Sequence, residues 1–252
     1  MGMAQSDRTY DAIVIGSGIS GGWAAKELCD HGLKTLVLER GRDVQHIKDY
    51  PTANMAPWEL PHRGYNPRKL IDANPLISKA AGYGEDTAHF FVKDADHPYV
   101  QEKPFDWIRG YQVGGKSLIW GRATQRWSKY EFVAPERLGY GMNWPITYDD
   151  IAPWYSHVER FIGVCGNYDH LDAMPDGDFL PPFDFNCVEK HMSDAIHAKH
   201  KNRWVVQGRW ASPRSLELIV SSAWCVAFGG GMRNCSASSA FCVAATAPTA
   251  LK

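Results

Sequence analysis

Tyr10-Asp11-Ala12-Ile13-Val14-Ile15-Gly16-Ser17-Gly18-Ile19-Ser20-Gly21 is the stretch that decides the fold class. Its apolar half reads as a buried strand, and the segment from Ser20 to His31 reads as a helix. A second apolar run, Thr35-Leu36-Val37-Leu38, then ends at Glu39. Strand, glycine turn, helix, strand and acid in this order make a βαβ dinucleotide fingerprint, and the fold class expected is α/β. Gly16 permits the tight turn, Gly18 lets the backbone approach a pyrophosphate, and Gly21 lets helix and strand pack closely. Ser17, Ile19 and Ser20 complete the turn and open the helix, whose unpaired N–H groups and positive dipole end suit phosphate. Glu39, 18 residues beyond Gly21, is placed to accept hydrogen bonds from a ribose diol. The competing reading is a glycine-rich turn in an α/β domain that holds no ligand.

The bulk properties exclude several classes. The chain has 252 residues, 44% hydrophobic and 22% charged, with a net charge of −1, which suits one large globular α/β domain or a domain and a half. That near-zero balance leaves no electrostatic footprint for nucleic acid, so no such partner is expected. Met1 to Arg8 is short and polar with no apolar run of a secretory signal. A cytoplasmic protein is therefore the default expectation, with periplasmic export alongside a partner left open. Two uncharged stretches, Leu218 to Met232 and Asn234 to Leu251, are not apolar enough for a bilayer span, so no transmembrane segment is expected. The six cysteines, Cys29, Cys165, Cys187, Cys225, Cys235 and Cys242, form no CxxC pair and read as free, mostly buried thiols.

From about Arg42 to Lys103 the chain is polar and turn-rich, with prolines at 51, 57, 61, 67, 75 and 98, as in a functional cover or insertion. A second glycine cluster follows, Arg109-Gly110-Tyr111-Gln112-Val113-Gly114-Gly115-Lys116-Ser117, and then Trp120-Gly121-Arg122 through Gln125-Arg126-Trp127. Thr147 reads as the cap of a helix running to about Phe161, with Ile151, Trp154, Tyr155 and Val158 on its apolar side. A further helix is predicted from Cys187 to Lys201, with Val188, Met192 and Ile196 at helical spacing. From Ala211 onward only Arg214, Glu217, Arg233 and Lys252 are charged.

The two glycine clusters together resemble the glucose–methanol–choline (GMC) oxidoreductase family, over Tyr10 to about Arg209. Leu38-Glu39-Arg40-Gly41 is shared with many flavoproteins; the Val113-Gly114-Gly115-Lys116-Ser117 segment followed by Trp120 is more specific. Phe105-Asp106-Trp107, Asn143-Trp144-Pro145-Ile146 and Ile151-Ala152-Pro153-Trp154-Tyr155 are similar to the bacterial sugar-dehydrogenase branch, which includes glucoside 3-dehydrogenase and gluconate dehydrogenase flavin subunits. The resemblance implies a Rossmann-like FAD-binding domain over residues 1–150 and the start of an α+β substrate domain over 151–252. It implies FAD held by Gly16, Ser17, Gly18, Ile19, Ser20, Gly21, Glu39 and Arg40, with Arg109, Val113, Gly114, Gly115, Ser117 and Trp120 along the flavin. Family members that bind FAD covalently place a His just before the Trp of this segment, whereas Leu118-Ile119-Trp120 has none, so non-covalent FAD is expected. The implied reaction is oxidation of an alcohol on a sugar or sugar acid by hydride transfer to flavin, with electrons passed to a further acceptor, possible candidates being a partner subunit or a cytochrome. The family's catalytic His lies near the C-terminus of a longer chain; no catalytic residue is assigned here, and the sequence reads as an N-terminal fragment that is expected not to turn over an alcohol by itself.

Other readings stay open. The same βαβ unit serves nicotinamide cofactors, but the Tyr-x-x-x-Lys spacings at Tyr65/Lys69 and Tyr99/Lys103 are interrupted or bracketed by prolines. An inactive flavin-domain remnant is a further alternative. His197-x-x-His200 with His191 and Asp194 has metal-ligand spacing, yet exposed helical histidines are commoner and no metal is expected. His89 and His97 are site candidates by position, or plain surface-loop residues. Arg122, Gln125 and Arg126 read either as hydrogen-bond donors to flavin or sugar, or as a solvated strand face. Trp107, Trp120 and Trp127 read as pyranose platforms or as core.

Overall fold

The computed structural model describes residues 9–45, 48–53 and 55–211, and the backbone of 243–246. It is a mixed helix and strand structure with small sheets. The chain divides into two compact units, Met1–Trp120 with Val226–Lys252 and Gly121–Cys225.

In the first unit, strand β1 (Ala12–Ile15) leads through the glycine turn into helix α1 (Ile19–Asp30) and strand β2 (Thr35–Glu39). These bounds fall within one residue of the helix and second strand read from the sequence. β1 and β2 pair in parallel, Ala12 opposite Thr35 and Ile15 opposite Leu38. The connection is the helical crossover that a parallel pair requires. Thr35 and Val37 are buried, as is Ala25 of α1. β1 itself departs from expectation: Ile13 is 60% and Ile15 85% exposed, so one face of the strand lies open. A parallel strand reads as continuously apolar because it is built to be covered on both faces; among the described residues the second cover is missing.

The segment from Arg42 to Lys103 carries more than turns. It holds helix α2 (Arg68–Ala73) and single 3₁₀ turns at Pro61–Gly64, Ile77–Lys79 and Ala88–Phe90. Between them Val44, Ile77, Tyr83, Phe90 and Phe91 form a buried cluster, with Leu70, Leu76, Ile108, Leu118 and Ile119 packed against it. Pro67 sits at the cap of α2, outside which Tyr65 lies, and the Tyr99 hydroxyl accepts the Trp107 N–H at 2.9 Å inside a loop. Neither Tyr-x-x-x-Lys spacing lies on one helix.

The second unit contains helices α3 (Ala134–Arg137), α4 (Tyr148–Ile162) and α5 (Cys187–Lys199), with strands β3 (Val164–Cys165) and β4 (Trp210–Ala211) paired antiparallel. Strand β5 (Val243–Thr246) belongs to the first unit and pairs in parallel with β2. Both long helices begin in capping boxes, Thr147 with Asp150 and Asn186 with Glu189. Gly163 stops α4 at φ +69°, the left-handed conformation in which a side chain is strained.

Their faces correct the sequence reading in part: Ile151, Tyr155 and Val158 of α4 and Ile196 of α5 are half-buried. Trp154 is 65% exposed, and the buried residue of α4 is Glu159, held by Arg126. On α5, Val188 and Met192 are exposed and only Ser193 is buried, because the helix lies on the unit by one narrow edge. His191, Asp194 and His197 are also exposed. Of the described cysteines, Cys165 is buried, Cys29 half-buried and Cys187 exposed. Cys225, Cys235, Cys242 and the stretches 218–232 and 234–251 lie outside the described residues, apart from the β5 backbone. The compact units part at Trp120, and within the second one Arg126 of the 121–147 segment bonds to Glu159 of α4.

Candidate cofactor site

Gly16 turns the chain out of β1 at φ +91° and its N–H donates to the Leu38 carbonyl at 2.7 Å. A Cβ on Gly21 would lie 1.9 Å from the Gly16 carbonyl oxygen, so helix and turn are in contact through bare backbone. A Cβ on Gly18 would meet nothing within 4 Å. Gly18 is the cap of α1, no side chain bonds the first helical N–H groups, and the first turn carries no acid. Ile19 and Ser20 are exposed at that end. An open backbone concavity at an uncapped helix N-terminus fits a phosphate chemically.

Ser17 and Glu39 join the turn to β2. The Ser17 N–H and hydroxyl both donate to Glu39 Oε2, at 2.8 and 2.6 Å, and the Gly41 N–H donates to Oε1 at 2.7 Å. Partial burial works against the Glu39 charge, but the bonds from Ser17, Gly41 and Arg40 hold its carboxyl below the usual glutamate value. The carboxylate has acceptor sites beyond these three bonds, so ribose hydroxyls fit beside them.

The second glycine cluster packs directly on the first. A parallel bridge joins Arg42 to Gln112, with Val113 N–H donating to the Arg42 carbonyl at 2.9 Å. Gly114 (φ +87°) and Gly115 (φ +55°) then turn the chain into a 3₁₀ segment, Gly115–Ile119. The Gly114 N–H donates to Ser17 Oγ at 3.0 Å, and a Cβ on Gly115 would stand 3.2 Å from Gly18 Cα. The Ser117 hydroxyl donates to the Gly114 carbonyl. The Arg40 guanidinium stacks 3.9 Å from the Tyr111 ring centroid.

The predicted residues therefore gather in one place, with two outliers. Arg109 is engaged elsewhere, donating to the His97 carbonyl and the Tyr111 hydroxyl and stacking 4.7 Å from Trp107. Trp120 ends the 3₁₀ segment, 38% exposed. His89 bonds the Asp49 carbonyl at 3.0 Å and His97 lies edge-on to Tyr111, so both serve loop packing. None of Trp107, Trp120 and Trp127 is buried, against the core alternative. Arg126 fits neither of its readings: it is 8% exposed and forks onto Glu159 at 2.8 and 2.6 Å. Two contributors escaped notice. A Cβ on Gly41 would stand 2.2 Å from the Gln112 nitrogen, and buried Gln112 donates its amide to the Gly115 carbonyl at 3.0 Å. The glycine directly after Glu39-Arg40 was the available signal for the first.

Comparison with known proteins bears out the resemblance to GMC-type oxidoreductases. The chain is similar to 6'''-hydroxyparomomycin C oxidase of Streptomyces lividus, 29% identical over 164 residues, covering 64% of this chain and 24% of that protein. It is similar to the fructose dehydrogenase large subunit of Gluconobacter japonicus, 25% identical over 186 residues, 71% of this chain and 30% of that one. It is also similar to the gluconate 2-dehydrogenase flavoprotein of Pantoea cypripedii, 27% identical over 177 residues, 66% and 27% of the two chains. The matched stretch thus spans 24% to 30% of the length of these relatives. Among solved structures, a formate oxidase of Aspergillus oryzae RIB40 matches at TM-score 0.31 and 17% identity over 60% of this chain and 22% of that one, a likeness too slight to argue from. No family model matches the chain. Among the described residues no helix is long and apolar enough to cross a membrane.

Proposed function

We propose that the first unit is a Rossmann-like FAD-binding domain, and that the chain serves an oxidoreductase that oxidises an alcohol group of a sugar or sugar acid. The observation that carries this reading is the contact of the two glycine turns, Gly114 on Ser17 and Gly115 on Gly18, beside an open Gly18 and an uncapped α1. In this reading Gly16, Ser17, Gly18, Ile19, Ser20 and Gly21 surround the pyrophosphate and Glu39 accepts from the adenosine ribose, with Arg40 beside it. Val113, Gly114, Gly115, Ser117 and Trp120 line the flavin end, and Arg109 braces the loop that leads into it through Tyr111 and His97. Bound FAD supplies the hydride acceptor for alcohol oxidation. The protein residues bind and orient it; the base that takes the hydroxyl proton is unassigned.

The names of the relatives support the sugar class, since a fructose dehydrogenase subunit, a gluconate 2-dehydrogenase flavoprotein and a hydroxyparomomycin oxidase stand among them. The large subunit among them supports an electron-accepting partner. Attachment is non-covalent in this proposal, because Ile119 offers no nucleophile before Trp120. The second unit, from Gly121 on, begins the substrate domain.

The test is direct. The purified chain should carry or take up FAD, and acid precipitation should leave the yellow cofactor in the supernatant. Gly18→Val should abolish uptake in a folded protein by filling the concavity with a side chain. Flavin retained by that variant, or flavin pelleting with denatured protein, would count against the binding site and the mode of attachment respectively.

A further inference from the structure

Ser17 is 7% exposed, and its hydroxyl is committed on both sides. It donates to Glu39 Oε2 at 2.6 Å and accepts the buried Gly114 N–H at 3.0 Å, joining residues 97 apart in the chain. Resting on the FAD reading above, we infer that Ser17 is a positioning residue, whose hydroxyl pins the Gly114–Gly115 turn onto the Gly16–Gly18 turn and holds the two halves of the cradle together before the cofactor arrives.

The chemistry at this position is demanding. A hydroxyl offers one donor and two acceptor lone pairs, so it alone among small side chains can serve a carboxylate and an N–H at once. The carboxylate consumes its proton, which orients the lone pairs toward Gly114. The turn being held needs holding. Gly114 and Gly115 are consecutive positive-φ glycines, at +87° and +55°, and glycine has more conformational freedom to lose than any other residue. The turn's other bonds, Gly115 N–H to the Gln112 carbonyl at 2.8 Å, Ser117 N–H to the Gly114 carbonyl at 3.1 Å, the Gln112 amide to the Gly115 carbonyl at 3.0 Å and the Ser117 hydroxyl to the Gly114 carbonyl, are internal. They shape the turn without fixing it to the first one. Alanine at 17 leaves the Gly114 N–H buried without a partner, which favours conformations that turn it to water. Apparent affinity then falls by the fraction of molecules still in the competent arrangement.

The experiment compares Ser17→Ala and Ser17→Thr with the parent chain. Amide exchange at Gly114 is measured on the flavin-free protein, and FAD titrations follow flavin fluorescence. We expect Ser17→Ala to speed Gly114 exchange about tenfold or more and to weaken FAD by a similar factor, the size of leaving one buried N–H without its hydrogen bond. Ser17→Thr, which keeps the hydroxyl, should restore both. Parental Gly114 exchange and FAD affinity in folded Ser17→Ala would overturn the inference, as would Ser17→Thr behaving like alanine. Should Ser17→Ala not fold, the threonine variant decides: parental Gly114 protection supports the pin and lost protection overturns it. If the parent itself takes up no FAD, the cofactor reading fails, while exchange in the flavin-free chain still judges the pin.

Discussion

Gly21 and Gly22 are adjacent in the first turn of α1, and alanine at each should move stability in opposite directions. Replacing an interior helical glycine with alanine gains about 1 kcal/mol from helix propensity. At Gly22 the new Cβ would meet only the Ser17 carbonyl oxygen at 3.7 Å, ordinary contact, so that gain should survive. At Gly21 it would stand 1.9 Å from the Gly16 carbonyl oxygen and 3.3 Å from Val14 Cγ1. Relief requires helix and turn to part by about 1.6 Å or more, since non-bonded heavy atoms rest at about 3.5–4.0 Å. The obstacle is backbone, tethered through Gly16 N–H to Leu38, so the upper end of the overpacking range applies, about 3 kcal/mol. Returning about 1 kcal/mol of propensity leaves a net loss of about 2 kcal/mol. For a chain of this size that corresponds to a fall of roughly 4–8 °C in Tm, against a rise of roughly 2–4 °C for Gly22→Ala. Thermal and urea unfolding followed by circular dichroism measure both. A Gly21→Ala protein as stable as Gly22→Ala would refute the packing argument.

Glu159→Gln should cost about 3–5 kcal/mol, because it leaves the Arg126 charge buried without its carboxylate; Arg126→Met combined with Glu159→Leu should recover much of that loss in the same unfolding assay. The carboxyl of Glu39 is held below its ordinary value in the fold, so its contribution is present above the usual glutamate range and lost as pH falls through its own lowered value. FAD should accordingly be retained at neutral pH and released on acidification, and Glu39→Gln should bind more weakly at neutral pH with a flattened acid limb; an unchanged profile in that variant would contradict the assignment. Asn186 accepts the Val188 and Glu189 N–H groups at 3.0 and 2.9 Å, so Asn186→Ala should destabilise α5 by about 1 kcal/mol, seen as faster amide exchange in its first turn and absent if the cap is idle.

The βαβ start was legible because period, glycine spacing and terminal acid all lie within thirty residues and reinforce one another. α4 was legible from its cap, Thr147, whose hydrogen bonds are local, and α5 from the helical spacing of Val188, Met192 and Ile196. Their buried faces were not, since the partner of α4 is Arg126, an arginine indistinguishable in sequence from a solvated one. The core of the first unit was hidden for a different reason. Val44, Ile77, Tyr83, Phe90 and Phe91 sit on turns and single 3₁₀ segments, which impose no periodicity to read. At the site, each glycine cluster was visible alone. Their junction at Ser17 was not, because a contact across 97 residues leaves no trace in either motif.

The open face of β1 has consequences for handling this chain in solution. Among the described residues β1 is the outer strand of the three, with no strand paired on the edge beside Ile13 and Ile15. Unpaired strand edges with apolar side chains are templates for another chain, and natural sheets blunt them with charge. The surface that begins the βαβ unit is thus expected to favour self-association, increasing with concentration and with kosmotropic salt, which light scattering would measure. A lysine at position 13 or 15 blunts it from the outside. The inward side of the same strand, where Val14 approaches Gly21, is left as it is.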